Sequence, residues 1–233
     1  MAEHTVKSYD NDIHQLRSLI SQMGGLCEAQ ILASIDALIR RDADAALAVV
    51  ATDARIDALE TEAEALAIRI IALRAPMADD LREIVSCLKI TSVLERIGDY
   101  AKNIAKRASA LAQAAPIEPM VIVPEMARVV ASMVKDTLDA FVDRNPEAAA
   151  TICQRDKKVD DFYSSLFRSL LTFMMENPQA ITPSAHLLFI AKNLERIGDH
   201  ATNIAEMVYY SATGEHLAER PRGDDTAFAT QAT

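Results

Sequence analysis

The chain carries one twelve-residue phrase twice, at an offset of 100 residues. Leu94-Glu95-Arg96-Ile97-Gly98-Asp99-Tyr100-Ala101-Lys102-Asn103-Ile104-Ala105 returns as Leu194-Glu195-Arg196-Ile197-Gly198-Asp199-His200-Ala201-Thr202-Asn203-Ile204-Ala205, with ten of twelve letters the same. The flanks do not share this likeness: residues 81–93 and 181–193 agree at two of thirteen positions, and 106–110 and 206–210 at none. A fold holding two such copies is built twice from the same elements. A bundle helix needs only an apolar pattern, so packing alone lets copies drift evenly. Identity concentrated on a polar phrase points to a chemical job done in each half.

The phrase reads as a helix. Its apolar positions follow a 3.6 period, and at about 100° per residue Ile90, Leu94, Ile97, Ala101 and Ile104 share one side. Glu95, Asp99 and Asn103 form a stripe on the opposite side, as do Glu195, Asp199 and Asn203 in the second copy. The carboxylates are therefore expected on the outer face of a bundle and not in its core. Gly98 and Gly198 sit mid-helix, where Gly costs about 1 kcal/mol against Ala; close helix packing is the expected reason. Arg96 and Arg196 are placed to pair with Asp99 and Asp199 at i+3.

Half of the 233 residues are hydrophobic and aromatics are few, which favours a helical protein with a substantial core. A net charge of −10 argues against nucleic acid as a partner and is compatible with cations or a basic protein surface. Cys27, Cys87 and Cys153 are scattered and odd in number, as expected of reduced thiols in a cytosolic protein. The polar stretch Met1 to Asp12 lacks the pattern of a secretory signal. No apolar run approaches the roughly 18 residues of a membrane span.

In order, the periodicity predicts helices over 8–41, with Gly24-Gly25 as a kink or split, over 45–75, and from Met77 to 114. Pro116, Pro119 and Pro124 mark the boundary between halves. Helices over 125–143, from Pro146 to 175, and to 212 complete the second half. The expected fold is all-α: two tandem pseudo-symmetric three-helix bundles of six long helices. They span 5–115 and 120–212, lie end to end in an elongated molecule, and are followed by a disordered tail over 213–233.

The middle helices echo each other too. Asp53-Ala54-Arg55-Ile56-Asp57-Ala58-Leu59 and Asp156-Lys157-Lys158-Val159-Asp160-Asp161-Phe162 share an Asp-x-basic-aliphatic-Asp-x-apolar pattern. Each half thus has two helices with an acidic i, i+4 pair. If these helices are neighbours, with axes about 8–10 Å apart, four carboxylates converge on one groove. Two readings stay open. One is a hard-cation site, with Asn103 or Asn203 as an outer hydrogen-bonding group. The other is a surface salt-bridge network with Arg55, Lys158, Arg96 and Lys102.

Other chemistry is sparse. His186 falls on the apolar side of its helix and reads as a core histidine, while His200 replaces Tyr100 and lies off the acidic stripe. There is no phosphate loop, no Ser-His-Asp arrangement and no His-Glu-x-x-His. Glu-x-x-His, the inward motif of di-iron bundles, is also missing.

The doubled Leu-Glu-Arg-Ile-Gly-Asp phrase, with Arg74-Ala75-Pro76-Met77-Ala78-Asp79-Asp80-Leu81-Arg82 ahead of the first copy, resembles the PhoU family. The likeness covers about residues 5–212. The Arg-x-Pro-x-x-x-Asp-Leu-Arg element is degraded in the second half, where Thr182-Pro183-Ser184 stands. The resemblance implies two pseudo-symmetric three-helix bundles, often dimeric. It implies multinuclear iron, zinc or nickel clusters on the bundle surface, with ligands mapping onto Asp53/Asp57, Glu95/Asp99, Asp156/Asp160 and Glu195/Asp199. It also implies a non-enzymatic negative regulator of phosphate uptake and of the phosphate-starvation regulon. Such a protein is cytoplasmic and works at the inner membrane face through the phosphate ABC transporter ATPase and the phosphate-sensing histidine kinase. A metal-dependent carboxylate-bundle enzyme and a helical scaffold with merely solvating acids are the competing expectations.

Overall fold

Asp42 ends one helix and starts the next. Arg41 turns into the left-handed region at φ 57°, and the Asp42 carboxylate accepts from the Ala45 N–H at 2.9 Å, satisfying a donor at the new N-terminus. In the computed structural model, which describes residues 2–115 and 117–217 and side chains from Tyr9 on, this turn joins α1 (Ala2–Arg40) to α2 (Ala43–Arg74). A second reversal, Ala75-Pro76-Met77-Ala78, leads into α3 (Asp79–Leu111). Ala75 and Ala78 both have positive φ, 45° and 51°. The first half is an up-down-up bundle in which α1, α2 and α3 all pack on one another.

A 3-10 turn at Glu118–Ile122 opens the second half, followed by α4 (Val123–Asp143), α5 (Pro146–Cys153), α6 (Asp156–Glu176) and α7 (Ile181–Thr213). The described residues are almost wholly helical, as the duplicated pattern predicts. The single helix expected from Pro146 to 175 is two helices. The chain turns at Gln154-Arg155, where Arg155 reaches back to Asp136 and Ser132 on α4. Conversely, α1 is unbroken at Gly24-Gly25. A Cβ on Gly24 would collide with Leu138 of α4, whereas one on Gly25 would meet nothing; Gly24 is there for contact, not for bending.

The halves are not end to end. α3 packs along α7, and α1 along α4. Arg82 near the start of α3 donates to the Ser211 carbonyl near the end of α7. Arg107 near the end of α3 lies 3.5 Å from His186 near the start of α7. The two helices are therefore antiparallel neighbours over most of their length, about 50 Å at 1.5 Å per residue. The bundles lie side by side and share one continuous apolar core. The physical reason is visible on α3, whose buried positions run from Glu83 through Cys87, Thr91 and Gly98 to Leu111. They cover a wider arc than the roughly 100° stripe of a surface helix. The tail expected from 213 lies mostly outside the described residues. Its first part is placed: Thr213 ends α7, Gly214 caps it at φ 78°, and His216 stacks on Tyr210 at 4.6 Å.

Candidate functional site

In the first half α2 and α3 are neighbours, and their acids meet along the groove between them. Asp53 is 5 % exposed. It lies one turn before the fully buried Ile56, on the flank of α2 that faces α3. There the Lys102 ammonium is bonded by both Asp53 and Asp99, at 2.9 Å from the latter. These bonds hold the Lys102 proton affinity well above its ordinary value. Glu95 is half-buried, and its carboxyl is pushed up by burial and then by Asp99, Asp57 and Asp53. Asp57 and Asn103 are exposed. Glu60, one turn on from Asp57, is also pushed up, by burial and then by Glu95.

The second half repeats the geometry with a different balance of charge. Asp156 and Asp160 on α6 face Glu195 and Asp199 on α7. Burial, then Asp156, Glu195 and Asp199, push Asp160 up to about 6. Glu195 is pulled inward, its side chain 15 % exposed, with Lys192 on one oxygen at 2.7 Å and the buried Oε2 without a hydrogen-bond partner. Where Lys102 bridges the first groove, Thr202 stands in the second and donates to the carbonyl of Asp199 at 2.6 Å. Asn203 is half-buried. The glycines explain how the helices come so close. A Cβ on Gly98 would sit 2.9 Å from Ile56 Cδ1, and one on Gly198 would sit 3.4 Å from both Asp156 Oδ1 and Val159.

The chain matches the PhoU domain over residues 20–108 and again over 123–208, one match per half. It belongs to the PhoU family. It is 52% identical over 222 residues to a phosphate-specific transport system accessory protein PhoU homolog of Zymomonas mobilis, covering 95% of this chain and 94% of that protein. It is 49% identical over 226 residues to the homolog of Caulobacter vibrioides, covering 96% and 98%. Its fold superposes on the crystal structure of PhoU from Pseudomonas aeruginosa with a TM-score of 0.86 at 38% identity, over 89% of this chain and all of that one. The regulatory PhoU of Streptococcus pneumoniae gives 0.84 at 28% identity, over 91% and 100%.

Within this PhoU fold, all eight expected acids lie along two grooves, four in each. Among the described residues no group of three or more His, Cys, Asp or Glu side chains is preset as a metal cage. The expected pairing of Arg96 with Asp99 does not form, because Lys102 takes that carboxylate. His186 is half-buried and faces Arg107, not the core. Glu60 has no duplicated signal in the sequence: by the offset of the middle helices its counterpart is Tyr163. Its spacing of seven from Asp53 was the available signal. No helix among the described residues is long and apolar enough to cross a membrane.

Proposed function

We propose that the protein is a non-enzymatic negative regulator of phosphate uptake and of the phosphate-starvation regulon. It acts in the cytoplasm, at the inner membrane face, by binding the phosphate ABC transporter ATPase and the phosphate-sensing histidine kinase. The observation that carries this reading is the family match across both halves, together with relatives of nearly the same length named as accessory proteins of a phosphate-specific transport system. Deleting the gene in the source organism raises phosphate-starvation gene expression in phosphate-rich medium. Unchanged expression there sinks the reading. Capture of the ATPase and the kinase by the full chain tests the two contacts separately.

A metal on the bundle surface, iron, zinc or nickel, belongs to the same proposal, and the residues fit it unequally. The second groove suits a cation. Thr202 stands where Lys102 bridges the first groove, Asp160 resists ionising, and the Oε2 atom of Glu195 is buried without a hydrogen-bond partner. Asp156, Asp160, Glu195 and Asp199 would hold the ion, with Asn203 beside them. In the first groove Asp53, Asp57, Glu95 and Asp99, backed by Asn103, already have Lys102 among them, so a metal there has to displace an ammonium. A bound ion supplies positive charge that ties α6 to α7 and rigidifies that face. Metal analysis of gently purified protein tests this reading: the content falls in D156N/D160N and much less in D53N/D57N.

A further inference from the structure

α2 packs against α1 and α3, and its opposite side faces solvent. On that side positions 47, 51, 54, 58, 61, 65, 68 and 72 recur in alternating steps of four and three. All eight are exposed, and all but Thr61 are apolar. Leu47 and Ile68 are 56 % and 61 % exposed. The core side keeps the same repeat, with Val49, Ile56, Ala63 and Ile70 buried at intervals of seven. A helix apolar on both sides is one that is covered on both sides, and a seven-residue repeat sustained for nearly four heptads is the pattern of a helix that pairs with another.

The duplication supplies an internal comparison. At the offset of the middle helices, the six positions from 54 to 72 correspond to 157–175 on α6, and three of these are charged: Lys157, Asp161 and Arg168. The second half therefore has an ordinary solvated face at this place, and nothing in the fold requires the apolar one on α2.

The α2 face is complementary to itself. With a second α2 antiparallel to the first, about a two-fold axis between Ala58 and Thr61, Leu47 meets Ala72, Ala51 meets Ile68, Ala54 meets Ala65 and Ala58 meets Thr61. Every large side chain then faces a small one. Parallel pairing sets Leu47 on Leu47 and Ile68 on Ile68, with Ala on Ala between them. Along one flank of the antiparallel seam Arg55 meets Glu62 of the second copy, and symmetry makes this pair twice. Within their own helix both residues have only Ala, Thr or Leu three and four positions away, and neither forms an ion pair with a described residue. The other flank sets Asp57 opposite Glu64 of the second copy, a like-charge contact that weakens the pairing.

We infer that the exposed face of α2 is the contact surface for α2 of a second copy of this chain, the two helices running antiparallel about an axis between Ala58 and Thr61. The contact carries Glu64 of the second copy to Asp57, at the lip of the first acid groove. The second groove, between α6 and α7, takes no part.

Sedimentation velocity of the full-length chain over a concentration series tests the inference. Wild type shows a reversible monomer–dimer equilibrium. A58R, which puts a charge beside the axis, abolishes the dimer, whereas R168A on the matching face of α6 leaves it unchanged. R55E and E62R each weaken the dimer about tenfold or more, R55E/E62R restores it, and D57N tightens it. Circular dichroism checks that the variants remain folded. A dimer that survives A58R, or a double reversal no better than the single ones, overturns the inference. So does a wild type that stays monomeric; if A58R then also loses capture of the ATPase or the kinase, the face belongs to that partner instead.

Discussion

The Lys102 ammonium counters a carboxylate, Asp53, that is nearly sealed from water. Removing it leaves that charge buried without its partner, at a cost of about 1–3 kcal/mol. K102T installs the residue of the second half, and its unfolding midpoint in chelator is expected to drop accordingly. Adding zinc then restores more stability to K102T than to wild type, because the ion takes the vacated place and stabilises the folded state by mass action. Equal zinc shifts in the two proteins defeat this expectation. Tyr9 gives a pH signature at the end of the molecule. Its phenol is pushed up to about 12, by burial first and then by Asp80. A folded value above the unfolded one means a contribution fully present below about pH 10 and lost as pH rises towards 12. Wild type is therefore expected to lose stability relative to Y9F over that window and not below it, as read from urea midpoints of the two proteins. The doubled phrase made half of the eight expected acids legible and the echo between the middle helices the other half, but the two letters at which the copies of the phrase differ matter as much. Lys102/Thr202 sets which groove has a lysine of the phrase bridging its two helices, and Tyr100/His200 marks where the copies touch.

At the scale of helices, the glycines give an ordered prediction. Gly198→Ala adds a methyl at ordinary contact distance and gains helix propensity, so it is neutral or stabilising by up to about 1 kcal/mol. Gly98→Ala presses on Ile56 and loses part of that gain. Gly24→Ala drives into buried Leu138 at the α1–α4 contact and costs about 1–3 kcal/mol. Thermal unfolding of the three variants checks the order, and a stabilised G24A breaks it. The same residues show what sequence could and could not tell. A Gly-Gly pair signals either a bend or a close approach, and only the helix on the other side decides which. The turn between α5 and α6 was illegible for a similar reason. Ile152 to Val159 contains no Gly or Pro, and the break goes with a tertiary bond from Arg155 to α4.

At the scale of the molecule, apolar phase tells which residues are inside but not which half covers them, and that is why an end-to-end arrangement was expected where the halves lie side by side. Their union has a polar clasp besides the shared core. Glu83 of α3, 7 % exposed, accepts from Arg17 of α1 through Nε at 2.7 Å and from Arg144 after α4. Arg144 is held at φ 50°, and burial and the Arg17 charge both press on its own charge. A carboxylate between two guanidiniums relieves that repulsion, so Glu83→Ala strands two cations at the junction and costs about 3 kcal/mol. Arg144→Ala costs less, because that side chain is 57 % exposed and solvent already screens it. Since the core runs through both halves, the loss is expected to lower the midpoint of one cooperative transition, with the same denaturant slope. Probes in α2 and in α6 should report coincident curves for wild type and E83A alike. Separate transitions for the two halves in E83A, with a single one in wild type, would mean that the clasp and not the shared core makes the bundles fold as one.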